Sequence, residues 1–140
     1  MKTFVRVIAM VILSIMVLSL VACSSFGGIK SSFEKNGYTY VENANSDSTA
    51  KKITAEMEQG EISCTPHLFK GEGKGLFGGD VYAFVLEFDS DADMNKAIEE
   101  SGTISGLIKD VQKSDLVKRN CLLIPISLTQ IDEMIEIFQG

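Results

Sequence analysis

Few side chains in this chain are suited to chemistry, and two of them stand close together: Cys64 and His67. A thiol beside an imidazole is typical of a cysteine nucleophile, and Cys121 would extend the pair to a set of metal ligands. A structural zinc site needs about four N or S ligands, however, usually with closely paired cysteines. On a strand, positions 64 and 67 point to opposite faces because they differ by an odd number. The sequence therefore favours structural roles for both and predicts no catalytic residue, no metal ligand and no cofactor.

A glycine-rich segment, 71–79, invites comparison with phosphate-binding loops, because glycine-rich backbone can surround an anion. Its spacing does not match such a loop. Lys74 is followed by Gly75 and not by a hydroxyl residue, and the segment joins two predicted strands instead of opening a helix. A hairpin loop is the favoured interpretation. Leu76 and Phe77 give it an unusually apolar tip, which is a candidate for contact with a partner, the membrane or the domain itself.

Acidic residues at positions 89, 91, 93 and 100 have the spacing of the carboxylates in a calcium-binding EF-hand loop. The glycine that such a loop needs at its turn is absent, since Met94 stands there. Met94, Ala97 and Ile98 recur at helical spacing. The sequence therefore favours a helix whose first turn carries carboxylates at the positive end of its dipole.

The most specific motif lies at the front of the chain. Lys2 and Arg6 precede an apolar run, residues 7–22, and Cys23 follows it directly. A positive start, an apolar core and a small residue before the cut site describe a secretory signal peptide. The run is shorter than the ~20 residues that span a bilayer comfortably, although an uncleaved membrane helix is the alternative. The four residues Leu20-Val21-Ala22-Cys23 resemble the lipobox of bacterial lipoproteins.

This resemblance covers residues 1–23. It implies that the chain is cut before Cys23 and that the Cys23 thiol carries diacylglycerol. A single acyl chain binds a membrane only marginally, so two or three chains make the stable anchor. We expect a signal peptide over 1–22, a lipidated Ser/Gly-rich tether over 23–36 and one domain over 37–140. The domain would face away from the cytoplasm, on the outer membrane if the host has two membranes.

The net charge of the chain limits the classes of partner that it is expected to bind. The formal net charge is −6, and loss of Lys2 and Arg6 with the signal peptide would leave the chain more acidic. Nucleic-acid binding needs clustered Lys and Arg, so it is not expected. Attraction to anionic lipid is not expected either, which leaves the lipid on Cys23 as the membrane contact.

Residue patterns predict the elements that position these side chains. Strands are expected at 38–41, 62–69, 81–88 and 121–126, from their β-branched and aromatic residues. One helix is expected to start near Thr49, after the capping residues 46–48, and to end at Gly60. A second is expected after the capping residues 89–91 and is interrupted at Gly102, with a short helix near 104–111. A closing amphipathic helix is expected from 131 to 138, with Thr129 as its cap.

The order of these elements resembles the ferredoxin-like βαββαβ arrangement of the α+β class, an antiparallel sheet with helices on one face, here with an added C-terminal helix. Its four strands would lie in the order fourth, first, third, second. The apolar strand 81–88 then occupies the centre, and Pro125, which lacks an N–H, falls in an edge strand. Cys64 and Cys121 would lie on opposite edges, too far apart for a disulfide.

One face of the expected sheet carries His67 and Phe69, together with residues 81, 83, 85 and 87 of the next strand. An apolar sheet face is either covered or used for binding. The C-terminal helix is the first candidate cover, and a partner is the second. His67, Phe69, Leu76 and Phe77 are therefore the candidate binding residues.

Two functions fit these features. The preferred one is a non-enzymatic lipoprotein domain that binds a protein or another component of the cell envelope. The alternative is an envelope protein that binds a small molecule or a metal through Cys64, His67 or the 71–79 loop; an enzyme is less favoured. A pocket with converging polar groups would favour the alternative, and a flat face would favour the binding module.

Overall fold

The computed structural model describes residues 26–73, 79–126 and 129–140. Its helices are α1 (Gly28–Lys35), α2 (Ser48–Gln59), α3 (Asp91–Glu100), α4 (Gly102–Ile108), α5 (Lys113–Leu116) and α6 (Ile131–Gln139). Its strands are β1 (Thr39–Val41), β2 (Cys64–Glu72), β3 (Asp80–Phe88), β4 (Val117–Lys118) and β5 (Cys121–Ile126). The α+β class predicted from the sequence is confirmed.

The five strands form one antiparallel sheet in the order β1-β2-β3-β5-β4. The ferredoxin-like order is not observed, because β1 pairs with β2 at an edge and does not enter the centre. Its three residues make a short ladder with residues 68–70 of β2, whereas β5 pairs with β3 over residues 82–87. The longer apolar strand, β5, therefore takes the inner place beside β3.

Of two predictions about individual strands, one is confirmed in this order and one is wrong. β3 lies at the centre, paired on both sides by β2 and β5. The strand of Pro125, β5, is not the predicted edge strand, because it lies between β3 and β4. Pro125 pairs with Ala83 of β3, while β4 reaches only Cys121 and Leu122 on the other side of β5. The missing N–H of Pro125 thus falls where the neighbouring strand has ended, as its chemistry requires.

Capping side chains start the helices where the sequence places them. Asp47 accepts hydrogen bonds from the backbone of Thr49 and Ala50 at the start of α2. Ser90 does the same for Asp93 at the start of α3, where Asp91 and Asp93 occupy the first turn. Residues 91–100 are therefore helical, and their carboxylates cannot wrap around an ion as a calcium loop does.

Helices cover both faces of the sheet, not one. The His67 face, which carries Tyr40, His67, Phe69, Val85, Glu87 and Leu123, is covered by α1 and α6. Phe33 of α1 stacks on Phe69 at 4.7 Å between ring centroids, and Ser32 donates a hydrogen bond to the carbonyl of Ile137 in α6. The C-terminal helix is thus a cover of this face, as expected, and shares it with a helix that was not expected.

The opposite face, which we call the Leu68 face, packs against α2, α3 and α4. It carries Leu68, Phe84, Leu86, Phe88, Leu122 and Ile124, all buried. The three helices also bind one another, since Lys96 donates to the carbonyl of Gly60, and Ser101 and Thr103 both donate to Glu56. Burial of both faces explains why β3 and β5 are continuously apolar.

Helix α1 differs from the tether expected over 23–36. Ile29 and Phe33 lie one helical turn apart, and both are 0% exposed. The Ser and Gly content of this segment is typical of a flexible linker, whereas the spacing of its few apolar residues is typical of an amphipathic helix. The folded part of the chain therefore begins well before residue 37.

Over the described ranges, no helix is long and apolar enough to cross a membrane.

Candidate functional site

His67 lies at the centre of a buried polar group on the His67 face. Strand β2 supplies His67, β1 supplies Tyr40 and β3 supplies Glu87. The Tyr40 hydroxyl is 2.9 Å from His67 Nδ1, and His67 Nε2 is 3.4 Å from Glu87 Oε1. The sequence predicted that His67 and Glu87 share a face, and the strand register confirms it. The three side chains form a hydrogen-bonded row across three strands.

When His67 is neutral, the donor and the acceptor of each hydrogen bond in this row are determined. Glu87 only accepts hydrogen bonds when ionised, so Nε2 carries the ring proton and donates to it. Nδ1 is then an acceptor, and the Tyr40 hydroxyl donates to Nδ1. Burial lowers the pKa of His67 below its ordinary value, with the nearby charge of Lys30 acting in the same sense and Glu87 opposing both. His67 is thus held neutral at neutral pH, with both of its ring nitrogens satisfied.

Aromatic rings cover the His67 ring, whereas Tyr40 and Glu87 remain partly exposed. Phe26 stacks on the His67 ring at 3.5 Å between centroids and an interplanar angle of 13°. Tyr40 meets Phe69 edge to face at 5.4 Å, and Lys30 Nζ lies 4.6 Å from the centre of the Tyr40 ring. Only 7% of His67 is exposed. Phe26 and Lys30 come from the segment that sequence reasoning assigned to the tether, so neither was predicted to contribute.

This burial bears on the predicted binding residues. His67 and Phe69 lie together, as expected, but beneath Phe26 and α1, and Phe69 is fully buried. A partner would reach them only after displacing that cover. Leu76 and Phe77, like Cys23, lie outside the described residues.

The two cysteines that the structure describes, one on each face of the sheet, are poor nucleophiles. Cys121 lies opposite Glu87 on the His67 face, whereas Cys64 lies opposite Phe88 on the other face. Burial, helped by Asp89 and Asp93, raises the pKa of the Cys64 thiol to about 11. Burial, helped by Glu87, raises the pKa of Cys121 to about 12. Both thiols therefore keep their protons at neutral pH, where a nucleophile or metal ligand needs the thiolate.

Cys64 and Cys121 are both free, as predicted. The predicted reason needs correction, because only β3, and not two strands, separates them. Two strand spacings of ~4.8 Å still exceed the ~7 Å limit between the Cα atoms of a disulfide. In the described part of the chain, no three His, Cys, Asp or Glu side chains are placed to share a metal ion.

A second feature lies at the far end of the same face, where β2 runs towards the glycine-rich segment. A cleft of about 520 Å³ opens there between the end of α1, the start of β1 and the first turn of α6. Its walls include Tyr38, Gly71, Lys70, Asp80, Gln130 and Glu133. Lys70 and Asp80 form an exposed ion pair at 3.2 Å on its rim. The sequence pointed to the 71–79 segment but gave no signal for Tyr38 or Gln130.

The glycine at position 71 is needed for the shape of this cleft. A Cβ atom there would lie 2.7 Å from Cε1 of Tyr38, well inside contact distance. Tyr38 therefore packs directly on the backbone of β2, and only glycine permits that approach.

Comparison with known proteins gives no family for this chain: no family model matches its sequence, and neither a curated protein nor a solved structure matches it.

Proposed function

We propose that this protein is a bacterial lipoprotein, anchored through acylated Cys23 on the extracytoplasmic side of a membrane, whose domain is a non-enzymatic recognition module of the cell envelope. The observation that carries the proposal is the sequence Leu20-Val21-Ala22-Cys23 at the end of an apolar run with a basic start. An envelope protein or another envelope component is the proposed partner.

The position of the folded domain supports a close anchor. Phe26 already packs on His67, and only two residues separate it from Cys23. Three residue steps span at most about 10 Å when the chain is fully extended. A lipid on Cys23 would therefore hold the Phe26 end of the domain against the membrane surface. The cleft lies at the other end of the His67 face and would be accessible from the side away from the lipid.

The chemistry of the buried groups supports recognition over catalysis. Both ring nitrogens of His67 are hydrogen-bonded, to Tyr40 and Glu87, and its ring lies beneath Phe26, so the imidazole does not face a substrate. Cys64 and Cys121 are held as thiols. General acid–base and nucleophilic catalysis both require such groups within reach of the reacting atoms.

Metabolic labelling with an alkyne-tagged fatty acid in a bacterial host tests the anchor. The wild-type chain should be labelled, and Cys23→Ser should lose the label while remaining in the unprocessed form. Cys64→Ser is the matched control, because it removes a different thiol and should keep full labelling. Labelling that survives in Cys23→Ser, or that is lost equally in Cys64→Ser, would contradict the proposal.

A further inference from the structure

The last turn of α1 leads into the pair Asn36-Gly37, and Asn36 is the one asparagine of the chain that a glycine follows. The other four asparagines precede Ala, Ser, Lys or Cys. In water, the backbone nitrogen that follows an asparagine can attack the side-chain carbonyl carbon, and glycine hinders this attack least because it has no Cβ. Both residues are exposed, and a Cβ at position 37 would meet nothing within 4 Å. Neither burial nor packing therefore shields this pair.

Hydrogen bonds at the end of α1 hold the pair in an unreactive conformation. Asn36 is the C-cap of α1 and has ψ 19°. The Gly37 N–H donates to the carbonyl of Glu34 at 3.3 Å, and Nδ2 of Asn36 donates to the carbonyl of Ser32 at 2.7 Å. Attack needs rotation about ψ of Asn36 to bring the Gly37 nitrogen onto Cγ, and this rotation breaks the bond to Glu34. Because helix ends open at far lower cost than a whole domain, opening of the last turn controls the reaction.

We propose that Asn36 is a deamidation site, controlled by the last turn of α1, and that its conversion loosens α1 from the sheet. The Gly37 nitrogen bonds to Cγ of Asn36, the bond between Cγ and Nδ2 breaks, and Nδ2 leaves as ammonia with the proton of Gly37. The result is a cyclic imide. One water molecule opens it at either carbonyl carbon, which gives aspartate or isoaspartate. Water is the only co-reactant, and the reaction depends neither on the lipid nor on the proposed recognition role.

The product places a negative charge where α1 tolerates it least. The C-terminal end of a helix has unpaired carbonyl groups, which repel a carboxylate. Conversion also removes the donor to the carbonyl of Ser32, a residue whose hydroxyl joins α1 to α6 through the carbonyl of Ile137 at 2.8 Å. Isoaspartate adds a methylene group to the backbone before Tyr38, whose N–H donates to the carbonyl of Phe33 at 3.0 Å. Each change weakens the contacts that hold α1 in place.

Peptide mapping by mass spectrometry tests the reaction, after timed incubation of the full chain in detergent micelles and heavy-oxygen water. The fragment with Asn36 should gain one heavy oxygen atom and separate into aspartate and isoaspartate forms. Asn45 is the internal control, since it is also exposed but precedes Ser46, and it should convert at least about tenfold more slowly. Urea that unfolds the chain should raise the rate at Asn36 at least about threefold, because the hydrogen bonds of the last turn are then lost.

Three results of this mapping would overturn the proposal. They are conversion of Asn45 as fast as that of Asn36, no conversion of Asn36 in the folded chain, and a rate at Asn36 that urea does not raise.

Hydrogen exchange of two aspartate variants separates loosening of α1 from a general effect of added charge. Asn36→Asp puts a carboxylate at the C-terminal end of α1, whereas Asn45→Asp puts one ahead of the N-terminal end of α2, where the helix dipole favours it. Asn36→Asp should speed exchange of the backbone amides of residues 32–35 at least about threefold, and Asn45→Asp should leave it unchanged. Wild-type exchange in Asn36→Asp, or an equal increase in both variants, would contradict the proposed loosening of α1.

Discussion

The two ends of the His67 face differ in how their polar groups are hydrogen-bonded. At the Phe26 end, Tyr40, His67 and Glu87 hydrogen-bond to one another, and Phe26 stacks on the His67 ring. At the cleft end, Gln130 Oε1 is buried without a hydrogen-bond partner among the described residues, and the Gln130 backbone is left-handed. A satisfied network stabilises one structure, whereas an unpaired buried group lowers stability. The polar groups of the first end are therefore expected to stabilise the domain more than Gln130 does at the second.

The largest expected effect is at the structural end. Phe33→Ala removes a fully buried ring that stacks on Phe69, and it should lower the free energy of unfolding by about 3–5 kcal/mol. Urea denaturation measures the change. A loss below about 1 kcal/mol would mean that 28–35 behaves as the tether that its composition suggests, and would remove the cover from the His67 face.

A smaller loss of stability is expected from a substitution at Gly71 in the wall of the cleft. Gly71→Ala brings a methyl group onto the Tyr38 ring, which should lower the free energy of unfolding by about 1–3 kcal/mol. Gly106→Ala is the matched control, because a Cβ at position 106 meets nothing within 4 Å. It should be neutral or stabilising in the same urea denaturation. Wild-type stability in Gly71→Ala would show that Tyr38 does not pack on the backbone of β2.

Replacing one polar side chain at each end tests the comparison itself. Tyr40→Phe leaves Nδ1 of His67 buried without its donor and should cost about 1–2 kcal/mol. Gln130→Met removes an unpaired buried acceptor, which stabilises, and the hydrogen bond from Gln130 Nε2 to Glu133, which destabilises. Because the two effects oppose each other, its stability should stay within about 0.5 kcal/mol of the wild type. Thermal and urea unfolding of both variants provide the readout. A cost for Gln130→Met equal to that of Tyr40→Phe would mean that the two ends do not differ.

The smallest expected change is that of the free energy of unfolding with pH. The folded-state pKa of His67 is lowered, so the unfolded chain takes up a proton below about pH 6.5 that the folded chain resists. The free energy of unfolding should therefore fall as the pH decreases from 7 towards 5.5. The chain has one histidine, so His67→Gln should flatten this slope. Stability that rises on acidification would show that protonated His67 and Glu87 form a dominant ion pair.

Local patterns predicted much of the fold. Ser90 and Asp47 are cap residues followed by amphipathic runs, and their helices begin where expected. The apolar strand 81–88 is central, and the alternation along β2 placed His67 and Glu87 on one face. These features depend on residues that are close together in the chain, so a single sequence is enough to predict them.

The strand order and the details of the site depend on contacts between distant residues. The short run of β-forming residues at 38–41 suggests a strand but does not say which neighbour it pairs with. Phe26 reaches His67 only because α1 folds back over the sheet, and the Ser/Gly composition of its segment conceals that helix. Gln130 has no sequence signal at all, since its left-handed backbone and unpaired oxygen depend on its three-dimensional surroundings at the start of α6.

The intact mass of the protein extracted from membranes tests the central claim most directly. We predict a chain that begins at Cys23 and carries the added mass of two or three acyl chains, with fragment ions that place them on the first residue. A membrane-bound chain that retains Met1 to Ala22, or one that begins at Cys23 without any acyl group, would contradict the account.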